Sequence, residues 1–317
     1  MPSKASQDSN PPTTPDNPPP SKKPGKVAIL RARTLSTVLL WGLVAAALWF
    51  GNPVVIGLLL VLFGAAACWE YYTMLRNDQL ISRLFAAGLL AIAVGHLATV
   101  ALISVRSGQS AGFWVDSLTL CGAIILSLSA VVLWLELNER TLRELAAGLL
   151  GVLYIPLLFA FATRIYFLEG RPEVAGDGIF LLLFLIAVTK STDMGAYVIG
   201  TAIGKNKMIP RVSPGKTWEG FFGAMVVTVI IAFLLIFFLG DKVAPLRLID
   251  AIPLGIVMGL LSVMGDLAAS VLKRCLGAKD SGQTLPGIGG ILDLIDSILF
   301  TAPVLYAYLL FAIYRAG

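Results

Sequence analysis

The chain has 317 residues, 57% of them hydrophobic and only 14% charged, with a mean hydropathy of +0.84 and a formal net charge of +5. That balance excludes an ordinary soluble globular protein and places the chain in the polytopic membrane class. Cys68, Cys121 and Cys275 show neither paired nor metal-ligand spacing, so neither a disulfide framework nor a zinc site is indicated.

Residues 1–30 read as a disordered tail. Eight of the 17 prolines precede Val27, among Ser, Asn, Asp and Lys, and such a segment buries too little apolar surface to order itself. It does not read as a cleavable secretory signal, because the first apolar run begins only near Leu35 and a second follows at once. Residues 31–317 then form an integral membrane domain, predicted to be an all-α bundle of about nine transmembrane helices. The runs are 35–51, 53–74, 81–104, 117–137, 143–166, 179–200, 219–239, 251–271 and 292–314, set against the roughly 20 residues that a crossing needs. Gly51-Asn52-Pro53 is a turn signal that makes the first two runs a hairpin. Aromatic residues gather at run ends (Trp49-Phe50, Trp69, Tyr71-Tyr72, Trp114, Trp134 and Trp218), as an interfacial belt requires. His96 lies inside an apolar run with no second His or Cys at ligand spacing, so it reads as packed or locally hydrogen-bonded.

The basic residues set the orientation. With the N-terminus inside, the cytoplasmic side receives Lys4, Lys22, Lys23, Lys26, Arg31, Arg33, Arg76, Arg83, Arg140 and Arg143. It also receives Lys205, Lys207, Arg211, Lys216, Lys273, Arg274 and Lys279. That makes 17, against six on the other side: Arg106, Arg164, Arg171, Lys242, Arg247 and Arg315. Both polar, glycine-containing loops, 201–218 and 272–291, are thereby placed in the cytoplasm.

Four clusters interrupt the apolar sequence. In KSTDMGAY, Lys190 and Asp193 share a helical face, either as a packing ion pair or as charges on a pathway. SPGKTWEG (Ser213 to Gly220) joins a turn, a lysine and a helix start, readable as an anion site or as a positive-inside anchor; it lacks the glycine spacing of a phosphate loop. GDLAAS puts Asp266 near the end of the eighth run, with Ser270 and Lys273 on successive turns; a snorkelling lysine above a capped carboxylate is the alternative. Finally, Leu285-Pro286-Gly287-Ile288-Gly289-Gly290 sets a glycine turn against the helix that carries Asp293 and Asp296, three residues apart on one face. Carboxylates suit a divalent metal, and lysines with bare backbone amides suit phosphate.

The run from Ser270 to Ser297, S-x-L-K-R-x4-K-D-x-G-x2-L-P-G-x-G-G-x2-D-x2-D-S, resembles the C-terminal motif of the phosphatidate cytidylyltransferases, or CDP-diacylglycerol synthases. KSTDMGAY, SPGKTWEG and GDLAAS resemble that family's upstream motifs in the same order, so the likeness covers about the last 130 residues. It implies transfer of CMP from CTP to phosphatidate, giving CDP-diacylglycerol and pyrophosphate with Mg²⁺, whether or not a second cation joins it. On that reading Asp266, Lys273, Asp293 and Asp296 are catalytic, and Asp266, Asp293 and Asp296 hold the metal, with Asp280 either joining them or orienting Lys279. Ser213, Lys216, Ser270, Arg274, Lys279, Gly287, Gly289 and Gly290 bind the substrates. The implied partners are CTP and phosphatidate in the bilayer and no nucleic acid, with monomer or homodimer left open, and the implied place is a bacterial inner membrane. Two positions depart from the family pattern: Ile288 stands where many members carry His, and Leu294 where they often carry Arg.

The residue chemistry suits this reaction on its own terms. A lipid phosphate is already ionised at neutral pH, so the task is charge neutralisation and in-line positioning rather than proton removal. A CTP-dependent polyprenol or phytol kinase is the nearest rival, but its alcohol acceptor needs a base. A transporter would explain Lys190 and Asp193, but not the clustered carboxylates beside the loops. The alcohol-phosphotransferase motif D-G-x2-A-R-x8-G-x3-D-x3-D does not occur.

Overall fold

The computed structural model describes residues 42, 51–134, 138–170, 177–278, 280–282, 284 and 289–316. The tail and nearly all of the run 35–51 therefore lie outside the described residues. Among the described residues, eight helical spans are long and apolar enough to cross a membrane. They are α1 (Pro53–Asn77), α2 (Arg83–Ser107), α3 (Trp114–Trp134), α4 (Glu139–Val152) with α5 (Leu158–Tyr166), α6 (Gly178–Ile203), α7 (Trp218–Leu239), α8 (Ala251–Cys275) and α9 (Ile291–Ala316). Each overlies one of the apolar runs from 53–74 onward, so the chain is a multi-pass helical membrane protein. Helices α4 and α5 make one crossing, joined by a π-turn over Leu153–Leu157. Pro156 sits inside that turn, where it removes one amide donor from the ladder.

The helix starts follow side-chain capping. Ser82 accepts from the Phe85 amide at 3.3 Å, Asn138 from Thr141 at 3.0 Å, Asp177 from Ile179 at 2.9 Å and Thr217 from Gly220 at 3.2 Å. Within the 201–218 loop lies a small antiparallel hairpin, β1 (Lys207–Ile209) and β2 (Ser213–Thr217), which pairs Lys207 with Thr217 and Ile209 with Ser213. The two strands are too short to leave a period-two signal.

Lipid supplies no hydrophobic drive between helices, so close packing and internal hydrogen bonds hold the bundle. A Cβ on Gly195 would meet Val227, one on Gly223 would meet Ile199, and one on Gly255 would come within 2.6 Å of the Val229 backbone. Thr189 bonds Thr301 at 2.8 Å and Thr192 bonds Thr228 at 2.9 Å, tying α6 to α9 and to α7; the Ser262 hydroxyl donates to the Thr189 carbonyl at 3.2 Å.

At the end of the bundle away from the hairpin, buried charges close the structure. Arg164, fully buried, donates to Asp116 at 2.9 Å and to the Ala111 carbonyl at 3.1 Å, with its guanidinium carbon 4.9 and 5.2 Å from the centroids of the neighbouring Phe113 and Phe161 rings. His96 packs beside this pair and meets Thr119 at 2.9 Å, a packed and locally bonded residue as its sequence context suggests. Arg315 binds Asp250 through two contacts at 3.2 and 3.0 Å, holding the end of α9 to the start of α8.

Candidate active site

At the opposite end, α6, the hairpin, α8 and α9 surround a cavity of about 590 Å³ lined by Asp193, Lys216, Asp266, Asp293 and Asp296. Local rules put these side chains together. Asp293 and Asp296 lie one turn apart on α9. Gly265 lets α8 touch the α9 backbone, since a Cβ there would lie 2.6 Å from the Asp296 carbonyl, and this close crossing brings the next residue, Asp266, alongside. The hairpin is seated by Thr217, which fills a notch formed by Gly200, Gly204 and Gly220. From that seat Lys216 reaches the cavity, with Nζ 2.6 Å from Asp266 Oδ2.

The charges are arranged in pairs. Besides Lys216 and Asp266, Lys273 Nζ lies 2.5 Å from Asp293 Oδ1, and Lys190 Nζ lies 3.3 Å from Asp193 Oδ2. Lys190 and Asp193 are thus an intrahelical pair whose acid also lines the cavity. Asp296 is buried and has no salt bridge among the described residues; it accepts only from its neighbour Ser297, at 2.6 Å from the amide and 3.1 Å from the hydroxyl. Asp293 is doubly engaged, because Oδ2 also accepts from the amides of Ser281 (3.0 Å) and Gly290 (3.2 Å).

One organising residue is missed by the motif reading. Glu70 of α1 is buried, and its carboxylate receives the Ile291 and Leu292 amides, each at 2.9 Å, the Ser281 hydroxyl at 3.0 Å and the Thr284 hydroxyl. It caps α9 from a distant helix and anchors the loop before it. Gly282 and Gly290 pack onto that carboxylate: a Cβ on Gly282 would lie 2.8 Å from Glu70 Oε1, and one on Gly290 would overlap Ser281 and Glu70. The available sequence signal is that Glu70 is the lone charge in the run 53–74.

The remaining predicted residues divide. Ser213 lines the cavity. Gly289 adopts φ +119, a backbone region that side chains rarely enter, while the Gly290 amide is committed to Asp293. Arg274 is exposed and donates to the carbonyls of Val212 (3.5 Å) and Ala278 (3.1 Å), tying the end of α8 to the hairpin turn. Ser270 is not among the cavity-lining residues, and Asp280 lines a separate recess with Thr73, Asn77 and Asp78. Leu294 packs against the core. Lys279, Gly287 and Ile288 lie outside the described residues.

Among the described residues, no three acidic, His or Cys side chains converge as a self-sufficient metal site, and Asp280 stands apart from the other three carboxylates. The cavity nevertheless offers hard oxygen donors, Asp266 and Asp296 foremost. That donor chemistry fits Mg²⁺, which commonly takes one or two carboxylates and completes its shell with phosphate oxygens and water.

The cytidylyltransferase family model matches residues 31–312. The phosphatidate cytidylyltransferase of Staphylococcus epidermidis is 34% identical over 281 residues, covering 87% of this chain and 97% of that protein. The phosphatidate cytidylyltransferase of Haemophilus influenzae is 32% identical over 287 residues, covering 87% and 96%. YnbB of Escherichia coli K12, described as uncharacterized, is 44% identical over 161 residues, 51% of this chain and 53% of that protein. A family pattern running through nearly all the helices, with relatives of this identity along most of the length, means that the chain belongs to the cytidylyltransferase family.

Proposed function

We infer that the protein transfers the cytidylyl group of CTP to phosphatidate, giving CDP-diacylglycerol and pyrophosphate. The observation that carries the reading is the meeting of Lys216, Asp266, Asp293 and Asp296 in one cavity at the loop end of a family member. The nucleophile is an ionised phosphate oxygen of phosphatidate. It attacks the α-phosphorus of CTP as the bond to the bridging oxygen breaks and pyrophosphate leaves. No side chain has to remove a proton, so the work is holding two anions in line. Lys216 and Lys273 serve by turning from their aspartates to phosphate oxygens, and Ser213 adds a hydroxyl at the hairpin. Asp266 and Asp296 are the residues that would hold Mg²⁺, which when bound supplies charge neutralisation to the triphosphate. Glu70 and Asp293 fix the loop that closes this end. Tyr197 both lines the cavity and is largely exposed on α6, so the cavity wall reaches the lipid-facing surface, where phosphatidate enters with its acyl chains still in the bilayer.

The site end faces the cytoplasm of a bacterial inner membrane in this reading, supported by the basic asymmetry of the loops. The reading includes no nucleic acid and holds equally for a monomer or a homodimer. Purified protein incubated with labelled CTP, phosphatidate and Mg²⁺ should form CDP-diacylglycerol and pyrophosphate. CDP with a phosphorylated alcohol as the products would replace this reading with a kinase.

A further inference from the structure

A second polar cavity opens at the same end of the bundle and shares no lining residue with the catalytic one. It has a volume of about 960 Å³ and lies between the α1–α2 turn and the start of α4, where Arg76, Arg83 and Arg140 line it with Asn77, Ser82 and Asn138. Arg76 and Arg83 have no salt bridge among the described residues, and Arg140 donates to the Gln79 carbonyl at 2.8 Å. The acid in the lining, Glu144, is buried and accepts from the Ser82 amide at 2.5 Å. The cavity therefore carries three arginines against one acid that is already engaged.

Ser82 also lines a second space, an apolar groove of about 380 Å³ that runs up between α2 and α3 past Phe85, Gly88, Ile92 and Ala130. A Cβ on Gly88 would meet nothing within 4 Å, so the groove is open at that point. Ser127 is among the groove's lining residues, and its hydroxyl is buried without a hydrogen-bond partner among the described residues. A buried hydroxyl without a partner is costly unless something else completes it. An arginine-lined mouth at the membrane edge, continuous with an apolar slot along two spanning helices, has the shape and polarity of one lipid molecule.

We propose that this cavity and groove form a non-catalytic site for a single anionic glycerophospholipid. The phosphate sits among Arg76, Arg83 and Arg140, an acyl chain lies along the α2–α3 groove over Gly88, and an ester carbonyl accepts from Ser127. Arginine suits such a headgroup because its fork meets phosphate oxygens in pairs. A free phosphate would leave the groove empty, and a zwitterionic lipid would bring a cation to the arginines.

The test is native mass spectrometry of the full chain in detergent, titrated with phosphatidylglycerol or with phosphatidylcholine of the same chains. Wild type should retain one phosphatidylglycerol in preference to phosphatidylcholine. The double variant Arg83→Gln/Arg140→Gln should lower that preference by about 30-fold, taking ~1 kcal/mol per arginine at a membrane surface. Gly88→Leu, which has room to fold, should displace either lipid by filling the groove. Asp296→Asn should bind phosphatidylglycerol like wild type, which separates this site from the catalytic cavity. Thermal midpoint and cytidylyl transfer check that the Arg83, Arg140 and Gly88 variants are folded. Equal retention of both lipids by wild type, or undiminished binding in Gly88→Leu, would overturn the proposal, as would loss of binding in Asp296→Asn.

Discussion

Replacing Glu70 by alanine takes one acceptor from α1 and orphans four donors on the other side of the bundle. The Ile291 and Leu292 amides belong to the first turn of α9, whose own helix cannot satisfy them. The Ser281 and Thr284 hydroxyls can rotate toward water, but the two buried amides cannot. At ~1–3 kcal/mol for each buried donor left unmade, the amides alone cost about 2–6 kcal/mol. Partial relaxation and water entry into the vacated space bring the expected loss to ~3–4 kcal/mol. The effect is not confined to stability. The loop held by Glu70 also presents the Ser281 amide to Asp293, which in turn holds Lys273, so cytidylyl transfer should fall by at least ~100-fold at a temperature where the protein is still folded. Glu70→Gln keeps the shape and one acceptor oxygen but turns an NH₂ toward donors, and should fall between alanine and wild type in both measures. The assay is turnover of labelled CTP with phosphatidate, run beside thermal unfolding in the same detergent. Wild-type turnover and midpoint in Glu70→Ala would refute the claim that this carboxylate anchors the site.

Asp266→Asn and Asp296→Asn should each lower turnover by orders of magnitude with little change in unfolding midpoint, whereas Asp293→Asn should lose both, because that side chain also caps α9; Asp241→Asn, exposed at the far end, should match wild type in both assays. Gly265→Ala should cost about 1–3 kcal/mol by pushing α8 off α9, read as a lower midpoint with a proportionate loss of turnover; an unchanged midpoint would show that the helices can separate freely. Arg164→Met should destabilise by ~3–5 kcal/mol, as expected when one partner of a buried pair is removed, while the folded fraction keeps its KM for CTP. With Cys68, Cys121 and Cys275 replaced, a cysteine at position 206 should react with an impermeant maleimide only in inverted or opened vesicles, and labelling from outside intact cells would reverse the topology.

The apolar runs located the helices well because lipid makes one demand of every crossing. The run 219–239 and α7 over Trp218–Leu239 differ by one residue at the start. Asp293 and Asp296 were legible because their spacing is local. Long-range partnerships were not legible. Nothing in a linear reading joins Glu70 to Leu292 across 222 positions, or Lys216 to Asp266 across a whole helix. Lys216 and Lys273 were readable as phosphate ligands, but not as residues already engaged with aspartates. His96 showed its buried character, but nothing in a linear reading joins it to Asp116 and Arg164. Glycines split in the same way: Gly289 is explained by its backbone angle, whereas Gly265 and Gly290 are explained only by what presses against them.

The lysine–aspartate pairing gives the cavity the character of an ion exchanger. Three of its four aspartates hold a lysine at rest, so the empty site is close to neutral and tolerable at the margin of a bilayer. A polyanion arriving alone must draw a lysine away and strand its aspartate. A divalent cation arriving alone must draw an aspartate away and strand its lysine. When both arrive, every charge that loses a partner gains another, and the separation that was unfavourable for either becomes favourable for the pair. The two ligands should therefore raise each other's affinity by the same factor, as linkage requires, with no change of fold needed to carry the message.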